Sequence, residues 1–365
     1  MVSLSTALLL ALSTTVSAFK AGASGHSAKY SIVPGFFKQS DNSTDAKTFD
    51  YHDNLGLNDS LTWTEFKQQI DDLNANAELG VSYKVLYYAR HGEGWHNVAS
   101  DFYGDAFGCY YTNFETDGNM TWGPDPYLTE KGIEQAKNNS ALIKSLIKDD
   151  FPLPQAFYSS PFTRCADTLN YTWYDIALAP GYATPVFKEV IREVLGGGTP
   201  DLRRDRAYLE ERYPSWDFEA NFPFNDTLYS PDWRETSAGL EWRGRFFLDD
   251  MFETEESTFI SATSHGGIGT GIMAAAGHRE FSLVTGAIIP MVIKREAKLD
   301  FTPVQIDLEG TPGPYSANVT ACPASLSYTT LPASLASTVY TLGADTTGLP
   351  VVTVTSVVTA SPTSA

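Results

Sequence analysis

Four short stretches of this sequence carry residue types that could act together on an anion. Arg90-His91-Gly92 follows the apolar run that begins at Tyr83, Arg164 closes Ser160-Pro161-Phe162-Thr163-Arg164, Glu193 sits in Ile191-Arg192-Glu193-Val194, and His265 sits in Ser264-His265-Gly266-Gly267. Fixed cations stabilise the charge that gathers on phosphoryl oxygens, an imidazole can attack phosphorus, and a carboxyl group can move the proton that the leaving oxygen needs. Taken singly, each residue has an ordinary alternative. A lone His at a strand end is commonly structural, and a lone Arg is commonly solvated or ion-paired.

The elements that must position them read as alternating strands and helices. The run from Tyr83 predicts a buried strand delivering Arg90 and His91 to a sheet edge, where parallel-sheet proteins place their chemistry. Residues 98–127 lack helical or strand period and read as a long loop beside the site. A helix capped by Thr129 or a neighbour follows, with an apolar face from Ile133 through Ala136, Ile143, Leu146 and Ile147. Strands are expected at 156–160, 186–194, 257–263 and 291–295, and helices at 163–176, 240–252 and across the small residues of 266–277. This alternation predicts an α/β fold with a doubly wound, mainly parallel central sheet and helices on both faces.

Composition narrows the classes. The 365 residues include 25 basic and 44 acidic side chains, a net charge of −19, which opposes binding to nucleic acid or anionic membrane surfaces. Residues 1–18 combine an apolar stretch with Val16-Ser17-Ala18 and read as a secretory signal, too short for a stable membrane span. Glycosylation sequons at Asn42, Asn58, Asn119, Asn138, Asn170, Asn225 and Asn318 fit a secreted product, and three cysteines are too few for a disulfide framework but allow one bridge and one thiol. Cys165 reads as a buried small hydrophobe, which leaves Cys109 and Cys322 as the expected pair. Residues 19–80 read as an aromatic-bearing extension packed on a core at 81–322, with a helix at 64–73. Residues 323–365 form a Ser/Thr-rich tail compatible with O-glycosylation or cell-wall association.

The four stretches, taken in order, resemble the histidine phosphatase superfamily, in its phosphoglycerate mutase-like branch. Arg90-His91-Gly92-Glu93 with Asn97 fits the first motif, and Leu128-Thr129-Glu130-Lys131-Gly132 and Ser160 through Arg164 to Thr168 fit the next two. The resemblance covers residues 81–296 and is nearest to fungal members that continue Arg-His-Gly-X-Gly with an aromatic, His and Asn, as Trp95-His96-Asn97 does. It implies a three-layer fold and a metal-independent phosphomonoester hydrolase without a cofactor. His91 would form a phosphohistidine, Arg90, Asn97, Arg164 and His265 would hold the phosphate, and Glu193 would exchange the proton. In the acid-phosphatase branch an Asp follows the second His directly; Gly266 stands there instead, so the proton donor falls to Glu193.

Arg192, Arg203 and Arg204 form a basic cluster that could hold a second anionic group of the substrate, or could pair with nearby carboxylates. His96 could contact substrate but, as part of the loop, reads rather as a neighbour of the site, and His26, His52 and His278 show no metal-ligand spacing. The expected partner is a small-molecule or other phosphomonoester; oligomeric state is open. Two rival readings are a phosphomutase and a non-catalytic, glycosylated surface protein that retains a phosphate pocket.

Overall fold

Strand β2 (Val81–Arg90) shows why the core has two sides. Val85, Tyr87 and Ala89 point into one apolar cluster and Leu86 and Tyr88 into another, as the two-residue period of a strand requires when both faces are covered. This comes from a computed structural model that describes residues 27–179, 181–298, 316–319, 321–327, 329, 331, 338–344 and 350–356. The expected signal segment and most of the Ser/Thr-rich tail lie outside the described residues.

In chain order the site-bearing part of the fold comprises β1 (Ser27–Ile32), α1 (Trp63–Ala75), β2 (Val81–Arg90), α2 (Trp95–Tyr103), α3 (Asp105–Cys109) and α4 (Glu130–Leu146). It continues with β3 (Ala156–Ser159), α5 (Thr163–Trp173), β4 (Val186–Phe187), α6 (Arg206–Arg212), β5 (Asp217–Phe218) and β6 (Trp233–Glu235). Helix α7 (Ser237–Thr254), β7 (Phe259–Ser264), α8 (Gly266–Ala275) and β8 (Ile288–Lys298) complete it. The main sheet has the order β1-β8-β2-β7-β3-β4-β5. The pairings from β2 to β5 are parallel, whereas β8 runs antiparallel to both β1 and β2. The expected mainly parallel α/β sheet is therefore the observed one.

One face of the sheet is covered by α1, α4 and α5 through residues such as Phe66, Ile143 and Trp173. The other is covered by α7 and α8 through Phe247, Met251, Ile268 and Ile272. Fully burying side chains of this size stabilises by roughly 1.5–3 kcal/mol each before conformational entropy opposes it. Helices α7 and α8 meet at glycines: a β-carbon on Gly244 would collide with the Gly271 backbone. Thr62 caps α1 with a reciprocal Glu65 contact, and Thr129 caps α4 by accepting from the Gly132 N–H.

The structure corrects two local expectations, the loop and the long strand, and makes a third more specific. Residues 98–127 are not a structureless loop, because α2, α3 and a 3-10 turn at Tyr111–Asn113 occupy their first half. These helices are too short to display a period, and they fold over a small aromatic cluster of Phe107, Tyr111 and Trp122. Second, β1 adds an edge strand from the N-terminal extension, whose Phe36, Phe37 and Leu57 also enter the core. Third, the strand expected over 186–194 stops at Phe187, and its carbonyls find a different donor, described below. Cys109 and Cys322 are joined in a disulfide, and Cys165 is a buried free thiol.

Candidate active site

Register brings the two histidines together. Arg90 pairs with Ser264 across the parallel β2–β7 ladder, and the His91 N–H donates to the Ser264 carbonyl at 2.9 Å. The next residue on each strand is therefore a histidine, and the two rings stand 5.1 Å apart at 69°. The Tyr88 hydroxyl clips His265 in place by donating to its carbonyl (2.7 Å) and accepting from its N–H (3.2 Å).

The turn after His91 is packed by the start of α4. A β-carbon on Gly92 would strike the Gly132 backbone, and one on Gly132 would strike that of Glu93, so both positions require glycine for close approach. Thr129 donates to Glu93 Oε1 at 2.9 Å, and Lys131 pairs with Glu93 Oε2 at 2.7 Å. The Gly92 N–H donates to Thr168 Oγ1 at 2.9 Å. The sequence motifs around His91, Thr129 and Thr168 are thus one physical unit.

His91 is buried, and its Nδ1 lies 2.7 Å from the Gly92 carbonyl oxygen. A carbonyl only accepts, so Nδ1 carries the proton and the neutral ring keeps its lone pair on Nε2. Burial, followed by the Arg164 and Arg90 charges, holds this imidazole well below the usual histidine range. His265 is depressed for the same reasons, burial first and Arg164 next, and its Nε2 meets Ser160 Oγ at 2.8 Å.

Cations approach from two sides. Arg90 donates from Nη1 to the Leu283 carbonyl at 2.7 Å, and its buried Nε has no partner. Arg164 is fully buried, with Nη1 donating to the Pro200 carbonyl (3.0 Å) and Nη2 to Asp201 (3.2 Å), while Nε is unpartnered. Asp125 lies 3.7 Å from Arg164 and anchors the start of α5 by accepting from the Thr163 N–H and hydroxyl.

Glu193 caps α8 from outside the helix. Its carboxylate accepts from the N–H groups of Val194 (3.0 Å), Ile268 (3.2 Å) and Gly267 (3.3 Å). Gly267 is required for this approach, because a β-carbon there would overlap the Glu193 carboxylate. Gly266 lies against Arg90, so the glycine pair after His265 makes room for a glutamate and an arginine from two other segments. Asn97, in the first turn of α2, accepts from the Gly94 N–H at 2.9 Å through Oδ1, which leaves its NH2 group as the end available to an anion.

A sequence model of the histidine phosphatase superfamily (branch 1) matches residues 86–287. The chain belongs to the histidine phosphatase superfamily. A "probable phosphoglycerate mutase" of Arthroderma benhamiae is 40% identical over 288 residues, covering 74% of this chain and 86% of that protein. The "phosphomutase-like protein 3" of Candida albicans is 33% identical over 270 residues, covering 73% and 81%. Among solved structures, the phosphoserine phosphatase of Entamoeba histolytica in complex with 3-phosphoglyceric acid has a TM-score of 0.34 and 22% identity, covering 61% of this chain and 98% of that one. The protein is accordingly a phosphatase or phosphomutase, and the fungal resemblance seen in its motifs matches its fungal relatives.

Within this member of the superfamily, the basic cluster resolves into two kinds of arginine. Arg192 is buried and donates to both oxygens of Asp226 (2.7 and 2.6 Å) and to Glu189 (3.2 Å). Arg203 is buried, pairs with Glu189 at 2.5 Å and donates to the carbonyls of Pro223 and Asn225. The geometry thus corrects the substrate-binding expectation for these two, since their charges are already closed on carboxylates. Arg204 differs in exposure: it lies 3.7 Å from Asp125 but is partly exposed, stacks on Tyr127 and Tyr208, and lines a cavity of about 320 Å³ with Trp95, Tyr127 and Pro124.

Arg243 is the positioning residue that sequence reasoning missed. From α7 it donates to the carbonyls of Val190, Arg192 and Glu193 and to both oxygens of Glu235, at 2.6–3.0 Å. A guanidinium thereby replaces the missing strand ladder after Phe187 and fixes the backbone that carries Glu193. Its sequence signal was faint, an arginine on an otherwise core-facing helix stripe. His96 is also closer to the site than its sequence suggested, with its ring 5.2 Å from that of His91. Among the described residues, no group of His, Cys, Asp and Glu is arranged to hold a metal ion.

Proposed function

We propose that this protein is a phosphomonoester hydrolase that works through a phosphohistidine on His91. The observation that carries the reading is the buried His91 ring, whose Nδ1 is committed to the Gly92 carbonyl and whose Nε2 keeps its lone pair. In the first step Nε2 attacks phosphorus, the P–O bond to the alcohol breaks, and Glu193 gives the leaving oxygen its proton. In the second, the Glu193 carboxylate takes a proton from water, the water oxygen attacks phosphorus, and the P–N bond breaks to release phosphate. Arg90, Arg164, Asn97 and His265 stabilise the charge on the transferring group. An anion in the pocket also favours proton uptake by His265, which is held neutral when the pocket is empty.

Hydrolysis is preferred to mutase chemistry because a phosphoglycerate-type mutase must hold a second anionic group, and Arg192 and Arg203 are spent on Glu189 and Asp226. The apolar N-terminus and the sequons support a secreted, glycosylated product, where glycolytic intermediates are absent. The names of the fungal relatives favour the mutase as the second reading. Wild-type protein should release phosphate from p-nitrophenyl phosphate, and His91→Ala should not. Rapid isomerisation of 3-phosphoglycerate without phosphate release would establish the mutase instead, and equal background rates for both proteins would leave a phosphate-binding protein without turnover.

A further inference from the structure

We propose that His96 is a further phosphate-pocket residue, donating a hydrogen bond from Nε2 to a nonbridging oxygen of the phosphoryl group. The inference rests on the hydrolase reading and adds a contact to it. Gly94 is the N-cap of α2, so Trp95, His96 and Asn97 form its first turn, beside the Arg-His-Gly turn. The two rings nearest His91 are those of His265, at 5.1 Å, and His96, at 5.2 Å, so the nucleophile candidate is flanked by two imidazoles at nearly equal distance.

The orientation of His96 follows from what it touches. Its Nδ1 is buried without a hydrogen-bond partner and packs on Gly94, where an added β-carbon would come within 2.9 Å of both Nδ1 and Cε1. Nδ1 is closed off against Gly94, so Nε2, at the opposite edge, is the ring atom that can meet a ligand, and an anion there selects the Nε2–H tautomer because a proton on Nδ1 would have no acceptor. Burial and then the charges of Arg164, His91 and Arg90 keep the ring neutral. The charges that act on it are among those that act on His91, in keeping with the 5.2 Å between the two rings. Its neighbour in the chain, Trp95, lines the 320 Å³ cavity.

A contact to the phosphoryl group predicts a pattern that packing alone would not produce. Vanadate, a phosphate mimic, should inhibit His96→Ala about 10- to 100-fold more weakly than wild type, the range for a hydrogen bond to a charged group. His96→Gln, which keeps a donor, should recover part of the loss. The decrease in kcat/KM should be the same for p-nitrophenyl phosphate and for glycerol 2-phosphate, because the contact is to the group they share. Unchanged vanadate inhibition in a folded His96→Ala protein would overturn the proposal. So would a loss confined to glycerol 2-phosphate, which would place His96 on the leaving alcohol. Melting temperatures measured with and without inorganic phosphate separate this from the hydrolase reading: a phosphate-induced rise that His96→Ala diminishes supports the contact even if wild type and His91→Ala turn over equally, and an undiminished rise contradicts it.

Discussion

Arg90 and Arg192 are both arginines next to a residue assigned to chemistry, and the molecule treats them in opposite ways. Arg192 is enclosed by Asp226 and Glu189, and Arg203 shares the second of these, so two positive and two negative charges cancel in a buried cluster. Arg90 hydrogen-bonds a neutral carbonyl and keeps a buried Nε without a partner. A carboxylate-bound guanidinium holds a backbone together; one bound only to a carbonyl retains its charge for a ligand. What distinguishes them is the company that folding brings, since Asp226 is 34 residues from Arg192 in the chain.

Substitutions should separate the two roles. The largest effect on activity is expected for Arg90→Ala, which should lower kcat by about 10²–10³-fold, comparable to the loss of a transition-state donor elsewhere, while leaving the urea midpoint nearly unchanged. Arg192→Ala should do the reverse. It removes the bidentate guanidinium from buried Asp226 and leaves Glu189 to Arg203 alone, and should cost about 3–5 kcal/mol in urea unfolding, with KM near wild type in the fraction that folds. Equal losses of activity and stability in both variants would erase the distinction. Gly267→Ala should displace the Glu193 carboxylate and reduce kcat about tenfold or more, with little change in vanadate inhibition, because proton transfer is affected and phosphate holding is not.

The smallest effect concerns Arg164, which stands between the two cases. Burial pushes the Asp201 carboxyl up to about 6, Glu193 adds to the rise, and Arg164, Arg234 and Arg192 oppose it. Above that pH the carboxylate pairs with Arg164; below it the carboxyl is neutral and Arg164 has one counter-charge fewer. Inhibition by sulfate, a dianion throughout this range, should therefore tighten a few-fold as pH falls from 7 to 5. Asp201→Asn should bind sulfate at pH 7 as tightly as wild type does at pH 5, with a shallower pH dependence.

Much of this was legible in the sequence where information is local. The buried run before Arg90, the Thr129 cap and the strand before His265 each announce an element through neighbouring residues, and the strand ends then carry both histidines to one edge. Gly266, standing where the acid-phosphatase branch has an Asp, pointed to Glu193 as the proton donor, and in the structure Gly267 gives the Glu193 carboxylate space beside the first turn of α8. What could not be read depended on distant partners. The strand expected through Val194 gives way after Phe187 because Arg243, some fifty residues later, supplies the donors for its carbonyls. His96 reads from the sequence as a loop neighbour of the site, and only the packing of its ring on Gly94 in the first turn of α2 reveals which edge it offers.

The central claim is covalent and can be tested directly. Brief incubation with a phosphomonoester carrying a radioactive phosphoryl group, quenched in alkali, should leave label on the peptide that contains His91. That label should be lost in acid, as expected for a phosphorus–nitrogen bond, and should be absent from His91→Ala. Turnover without a labelled intermediate, or acid-stable label on another residue, would contradict the account.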